Sequence, residues 1–259
     1  MIVATWNVNS VLARLPLVLK WLAEARPDAL CLQETKCTDD KFPFAAFAEL
    51  KYKAHVYGQR AYNGVAILTR DSLTCADTVR GFGSDDDNNN AQARLIAATI
   101  NDIRIVNVYI PNGQSVGTEK YKFKLDWMRR LRAFFDEYYK PDELVLLCGD
   151  FNVAPEDRDV HDPQLWRGRI LFSQPERRAL EHVKEWGLMD AFRLHTATGG
   201  HFSWWDYRQG SFRRNAGLRI DHIWISKALA AKSVRTWIDK SPRSWERPSD
   251  HAPVIAEFK

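Results

Sequence analysis

The sequence predicts an α/β fold in which packed β-sheets carry helices on their outer faces. Short runs rich in β-branched and aliphatic residues recur along the chain, helical stripes separate only some of them, and many runs follow one another directly. A doubly wound sheet needs a crossover helix between most of its strands, so direct succession points to sheets packed on each other.

In chain order, strand-like runs fall at 2–6, 29–32, 65–68, 95–100, 103–109, 144–148, 220–225 and 253–258. Between the first two, Leu12, Leu15, Leu19 and Leu22 mark one face of a helix. Leu125, Met128, Leu131, Phe135 and Tyr138 mark a second, with Arg129, Arg130 and Arg132 off that face, and 176–186 is a third candidate. Ser84 through Asn90, with Asp85, Asp86 and Asp87 side by side, reads as an exposed loop, because consecutive side chains do not converge on an ion. One internal echo stands out. The first run ends in Trp6-Asn7-Val8-Asn9 and the run at 144–148 ends in Gly149-Asp150-Phe151-Asn152, as if two similar halves aimed strand ends at one place.

Composition limits the function. The 259 residues are 45% hydrophobic and 27% charged with 10 Trp, ordinary values for a chain with a large core, and no linker marks a boundary, so one domain over 1–259 is expected. Lys and Arg number 37 against 33 acidic residues, a mild basic excess of +4 that permits a polyanionic partner. No basic leader with an apolar core opens the chain and no run approaches a membrane span. Cys31, Cys37, Cys75 and Cys148 show neither a paired motif nor zinc spacing; Cys31 and Cys148 read as core fillers, and a reducing, cytoplasmic setting is expected.

Polar residues sit repeatedly where strong core strands end: Asn7, Gln33-Glu34-Thr35, Tyr109 leading into Asn112-Gly113, Asp150 with Asn152, Asp221, and Asp250-His251. Alone, each has a plain structural reading as a turn, a cap or an ion-pair partner. Together they place functional groups at the ends of rigid elements. Carboxylates and amides with a single His suit a hard cation such as Mg²⁺ or Mn²⁺. Phosphate-loop, nucleophile-elbow and dinucleotide patterns are missing. A carboxylate–metal site with a His and a Tyr suits phosphodiester hydrolysis.

The motifs Trp6-Asn7-Val8-Asn9-Ser10, Leu32-Gln33-Glu34-Thr35-Lys36, Tyr62-Asn63-Gly64, Asn107-Val108-Tyr109-Ile110-Pro111-Asn112-Gly113, Gly149-Asp150-Phe151-Asn152-Val153, Phe202-Ser203-Trp204-Trp205, Gly217-Leu218-Arg219-Ile220-Asp221 and Pro248-Ser249-Asp250-His251 follow in order over nearly the whole chain. In this the sequence resembles the exonuclease III family of apurinic/apyrimidinic endonucleases, within the endonuclease/exonuclease/phosphatase superfamily that shares the DNase I fold. The resemblance implies a four-layer α/β sandwich of two packed mixed sheets flanked by helices. It implies a monomeric Mg²⁺-dependent DNA-repair enzyme, with Mn²⁺ able to substitute, acting on double-stranded DNA at abasic sites or 3′ ends. Glu34 would be the principal metal ligand, with Asn7 and Asp250 completing or flanking the site. Asp150 would orient or deprotonate the attacking water, Asn152 and Tyr109 would contact the phosphate, and Asp221 would hold the ring of His251.

On the substrate side, Trp204 and Leu218 resemble the wall of a pocket for an extruded deoxyribose, with Asn112, Arg208 and Leu171 near the DNA. Alternation predicts Trp204 at the pocket and Trp205 in the core. Arg129, Arg130, Arg167, Arg169, Arg208, Arg213, Arg214, Arg243 and Arg247 are candidate phosphate contacts. The segment 159–174 departs from clean matching. If Ile170, Leu171 or Phe172 points inward, it crowds an abasic nucleotide in continuous duplex and favours trimming of damaged 3′ ends.

Overall fold

A computed structural model describes residues 1–83 and 92–259. The predicted loop from Ser84 to Asn90 therefore lies outside the described residues. Among the described residues twelve strands form two six-stranded sheets. The first holds β1 (Ile2–Asn7), β2 (Ala29–Gln33), β3 (Tyr52–Tyr57), β4 (Val65–Arg70), β11 (Ser233–Ile238) and β12 (Val254–Phe258), in the order β11-β12-β1-β2-β4-β3. The second holds β5 (Cys75–Arg80), β6 (Leu95–Ile100), β7 (Ile103–Tyr109), β8 (Val145–Asp150), β9 (Leu188–Asp190) and β10 (Asp221–Ser226), in the order β5-β6-β7-β8-β10-β9.

Both sheets are mixed, and each has its parallel pair at the centre: β1 with β2, and β7 with β8. A parallel pair needs a crossover, supplied by helix α1 (Val11–Ala25) in the first sheet and α3 (Glu119–Tyr138) in the second. The short α2 (Phe44–Glu49) packs with α1 on the first sheet's outer face. Two further short helices are α4 (Pro163–Trp166) and α6 (Ala191–His195). Helix α5 (Gln174–Lys184) joins α3 on the second sheet, and α7 (Lys227–Ala230) follows β10.

Alternation along the strands builds the layers. In β1, Val3 faces the opposite sheet while Ala4 and Trp6 face α1. In β8, Leu146 and Cys148 face inward while Val145 and Leu147 meet α3 and α5. The sheet–sheet layer is closed by Val3, Cys31, Ile67, Ile105, Leu146 and Ile223. Cys31 and Cys148 belong to it as expected, and burial with Cys148 alongside pushes the Cys31 thiol well up. One polar bridge crosses the layer near the site: the Gln33 amide donates to Asn107 Oδ1 at 2.7 Å and to Thr5 Oγ1 at 2.8 Å.

Two helical stripes are displaced from those predicted. In α1, Val11, Val18, Trp21 and Leu22 are buried, whereas Leu12 is 48% exposed. Pro16 lies inside this helix. It removes the hydrogen bond that Leu12 C=O would accept, a loss that solvent can make good where Leu12 is exposed. In α3 the buried face runs through Tyr121, Lys124, Trp127, Met128, Leu131, Phe134 and Phe135, leaving Tyr138 outside. Among the described residues no helix is long and apolar enough to cross a membrane.

The echo noticed in the sequence is a convergence rather than a repeat. By sheet position β1 corresponds to β7 and β2 to β8. Asn7 and Tyr109 therefore end equivalent strands, while Asp150 ends the counterpart of β2. Strands antiparallel to these begin where they end: Asp221 pairs with Asp150, and β12 starts beside the end of β1. All the polar strand ends thus meet at one edge of the sandwich.

Candidate active site

The turns leaving β1, β2 and β8, and the turn entering β4, use unusual backbone. Asn9, Ser10, Glu34, Lys36, Asn63 and Asn152 all have positive φ, between 47° and 89°. Such conformations cost non-glycine residues energy and persist where surrounding contacts impose them. Here they curl each chain sharply, so that side chains two residues apart turn toward a common point. Asp150 Oδ1 accepts from the Asn152 amide N–H at 2.9 Å, and Asn7 Oδ1 accepts from that of Asn9 at 2.9 Å.

Asn7 links the two halves. Its Nδ2 donates to Glu34 Oε1 and to Asp150 Oδ2, both at 2.9 Å. Asn152 Nδ2 donates to Asp150 Oδ2 at 3.2 Å and to Ile110 C=O at 3.0 Å, and Asn112 Nδ2 donates to Asn152 Oδ1 at 3.0 Å. Tyr109 is half-buried at the end of β7, with the Arg94 guanidinium 4.7 Å from its ring centre. Burial, with Glu34 and Asp150 nearby, pushes its phenol well above the ordinary value, so it remains an O–H donor.

His251 is buried beside Asp221, with Nδ1 2.8 Å from Oδ2 and 3.1 Å from Oδ1. Asp221 is held in turn by Ser203 Oγ, which donates to it at 2.7 Å. Burial alone would lower the His251 pKa, but Asp221 and then Asp150 outweigh it and raise the value to about 10. The ring is an imidazolium at neutral pH, with Nε2 3.7 Å from Asp150 Oδ2. Burial, Asp221 and Glu34 push Asp150 up to about 7 against the opposing pull of His251 and Asn7. Asp250 receives the Trp204 indole N–H at 3.0 Å and Asn9 Nδ2 at 3.1 Å. Burial would raise its pKa, yet His251 and these donors hold it below the ordinary value.

The acidic groups make a site that can hold a metal. Ligand atoms of Asp150, Asp221 and His251 lie within 4.8 Å of one another, but His251 Nδ1 is committed to Asp221. The better fit is at Glu34 and Asp150, two carboxylates drawn to a single amide nitrogen. Their all-oxygen donor set suits a hard divalent cation. Asn7 turns its donor end toward them, so it orients the carboxylates.

The substrate side is placed as follows. Trp204 is half-buried at the site and bridges to Leu218 and His251 in the backbone, whereas Trp205 is fully buried against Phe212. Leu218, Ile220, Leu171, Phe172, Ala154 and Val160 form one apolar cluster, with Ile170, Trp166 and Trp204 packed on it. Leu171, at φ 73° and 5% exposed, backs this wall, while Ile170 is the less buried neighbour. Arg208 is 84% exposed and paired with Asp206 at 2.8 Å. Arg243 departs from the surface role expected of it: it is buried, donates to Ser249 C=O at 2.9 Å and stacks on Phe212. Arg129 is tied to Asp126, while Arg167, Arg169, Arg213, Arg214 and Arg247 are exposed.

Four participants were not singled out from sequence. Lys36 pairs with Glu34 at 2.7 Å and donates to Asn9 Oδ1 at 2.6 Å. Asn9 spans to Asp250, Ser203 holds Asp221, and Arg94 underlies Tyr109. Lys36, Asn9 and Ser203 stand inside the recognised motifs, which was the available signal. Arg94 had none.

Donors aimed at one open edge, beside carboxylates suited to a hard cation, are what hydrolysis of a phosphoester requires, and they place the protein among phosphoester hydrolases. The model of the endonuclease/exonuclease/phosphatase family matches residues 4–251, and the chain belongs to that family. It is 34% identical to exodeoxyribonuclease III of Haemophilus influenzae over 98% of each chain. Among solved structures it is similar to an AP endonuclease from Archaeoglobus fulgidus, with TM-score 0.95, 37% identity and coverage of 100% of this chain and 99% of that one. It is also similar to the 3′ phosphatase NExo from Neisseria bound to a product DNA hairpin, with TM-score 0.94, 42% identity and the same coverage.

Proposed function

We propose that this protein is a Mg²⁺-dependent DNA-repair phosphodiesterase that incises duplex DNA 5′ to abasic sites and clears blocked 3′ ends. The observation that carries the reading is the junction of the two half-sites. Asn7 ties Glu34 to Asp150, and the Asp221–His251 pair stands beside them next to the apolar wall of Trp204 and Leu218. The related exodeoxyribonuclease, AP endonuclease and 3′ phosphatase support the substrate.

The phosphate is held by O–H and N–H donors: the Tyr109 phenol, the His251 imidazolium and the Asn152 amide, one of whose protons turns to the phosphate from its 3.2 Å contact with Asp150 Oδ2. Asp150 orients water in line with the scissile bond and accepts its proton, a task matched to a carboxylate titrating near neutrality. The water oxygen bonds to phosphorus, the P–O3′ bond breaks, and the leaving 3′ oxygen takes up a proton from solvent water to become a hydroxyl. Glu34, with Asn7 and Asp250 at its flank, would hold a divalent cation whose charge offsets that building on the phosphate oxygens. Trp204, backed by the fully buried Leu218, accepts a sugar without a base, and an intact base is excluded by bulk. Leu171 and Phe172 pack behind that wall instead of projecting over the pocket, which leaves the half-buried Ile170 as the residue of this segment that would bias the enzyme toward frayed 3′ ends. The site is complete within one chain, which supports a monomer. Four free thiols support a reducing, cytoplasmic setting.

Cleavage of an abasic-site duplex and of a 3′-blocked nick, with and without EDTA, tests the reading. Both reactions should stop on chelation and return with added Mg²⁺. Asp150→Asn and His251→Ala should each lower turnover at least about 10²-fold. Activity that persists in EDTA removes the cation from the mechanism, and no cleavage of either DNA removes the substrate assignment.

A further inference from the structure

Lys124 is a fully buried lysine that the chemistry above leaves unused. It lies on the inner face of α3, and its ammonium donates to the Asn152 carbonyl at 2.7 Å, to the Asn112 carbonyl at 3.1 Å and to the Glu176 carboxylate. All three of its protons are therefore spent. Glu176, equally buried on the first turn of α5, accepts also from the backbone N–H of Leu171 at 3.1 Å and of Ser173 at 3.0 Å, and from the Ser173 hydroxyl. Tyr121 closes the network on Ser173 Oγ at 2.6 Å.

The network has a direction. At one end are the backbones of the two residues whose amides meet each other and lead to Asp150. At the other is the turn that carries Leu171, in positive φ, against Leu218. A buried ion pair pays a large desolvation cost, and apolar residues of similar volume often stabilise a fold equally well. What an apolar pair cannot do is hold two carbonyls and three N–H or O–H groups from separate loops in fixed relation.

We propose that Lys124 and Glu176 are positioning residues, which set the Asn112–Asn152 amide pair toward the scissile phosphate and lock it to the turn behind the sugar pocket. This rests on Asn152 being a phosphate contact, as argued above.

The test is the double variant Lys124→Met/Glu176→Gln, which removes both charges together and leaves no lone buried ion. Gln at 176 can still close the capping box with Ser173. With folding verified by near-UV circular dichroism, kcat should fall about 10- to 100-fold on both the abasic duplex and the 3′-blocked nick, with KM within about threefold. In an Asn152→Ala background the same pair of substitutions should cost less than about threefold more, because they act through that amide. Wild-type kcat in the folded double variant, or a full additive loss beside Asn152→Ala, overturns the proposal. Should the double variant fail to fold, Lys124→Gln, whose amide can still donate within the cavity, enters the same cycle with the same two readings. An inactive wild-type protein overturns both this inference and the function it rests on, whereas an active wild type with additive loss overturns this inference alone.

Discussion

Protonation of the site turns on Asp221. Its carboxylate, gripping His251 Nδ1 at 2.8 Å, is the foremost reason that the imidazole stays charged despite full burial. Removing that charge leaves burial to act unopposed by its main counterweight, so the His251 pKa must fall. If the imidazolium is the form that stabilises phosphate charge, the basic limb of the pH–rate profile, near pH 10 in the wild type, should move at least about one unit toward acid in Asp221→Asn. A basic limb that does not move would show that His251 serves in its neutral form. Each residue stands out in the sequence because it flanks a core strand, but that the two pair is what the family resemblance implies and not something their positions show. Lys36 and Asn9 were not read as participants, because their roles depend on backbone curl. Positive φ at Glu34 and Lys36 folds two neighbours into an ion pair, and Asn9 reaches an Asp 241 positions away.

Every strand that the sequence left unread is an edge strand: β3 and β11 bound one sheet, β5 and β9 the other. Edges carry polar and charged residues that discourage pairing with other chains, so they lack the apolar runs by which strands are found. The central strands are buried on both faces and announce themselves. Their junctions are unforgiving, and Gly149 shows how much. It pairs with Val108 in the parallel β7–β8 ladder at φ 141°, and a Cβ there would lie 1.9 Å from the Val108 carbonyl oxygen. The obstacle is backbone, which cannot rotate away. Gly149→Ala should destabilise the protein by about 3 kcal/mol or more in urea unfolding. A loss under about 1 kcal/mol would mean that the strands can part at this point without consequence.

Neither sheet can stand without the other, because the layer between them draws its apolar side chains from both. Residues 1–259 should accordingly unfold as one domain, with fluorescence and far-UV circular dichroism tracing one transition. The same titration tests how the molecule responds to acid. His222 is fully buried, its Nδ1 accepting from Arg219 at 3.0 Å and its Nε2–H donating to Val153 C=O at 3.1 Å. Burial, then Arg219, pull its pKa down to about 4 against Asp190 and Asp159. The unfolded chain protonates this ring near pH 6.5, so its contribution is complete above about 6.5 and is lost as pH falls through about 4. The span corresponds to about 3 kcal/mol. Asp150 runs the other way: its raised pKa costs stability at neutral pH and returns it as pH falls from about 7 toward the unfolded value. The two trends overlap, so the His222 share must be read as a difference. His222→Gln keeps a donor and an acceptor but cannot titrate. Its stability should fall short of the wild type most at neutral pH, and the gap should close or reverse between about pH 6.5 and 4. A gap that stays constant across that window would show that acid does not enter the fold through this ring.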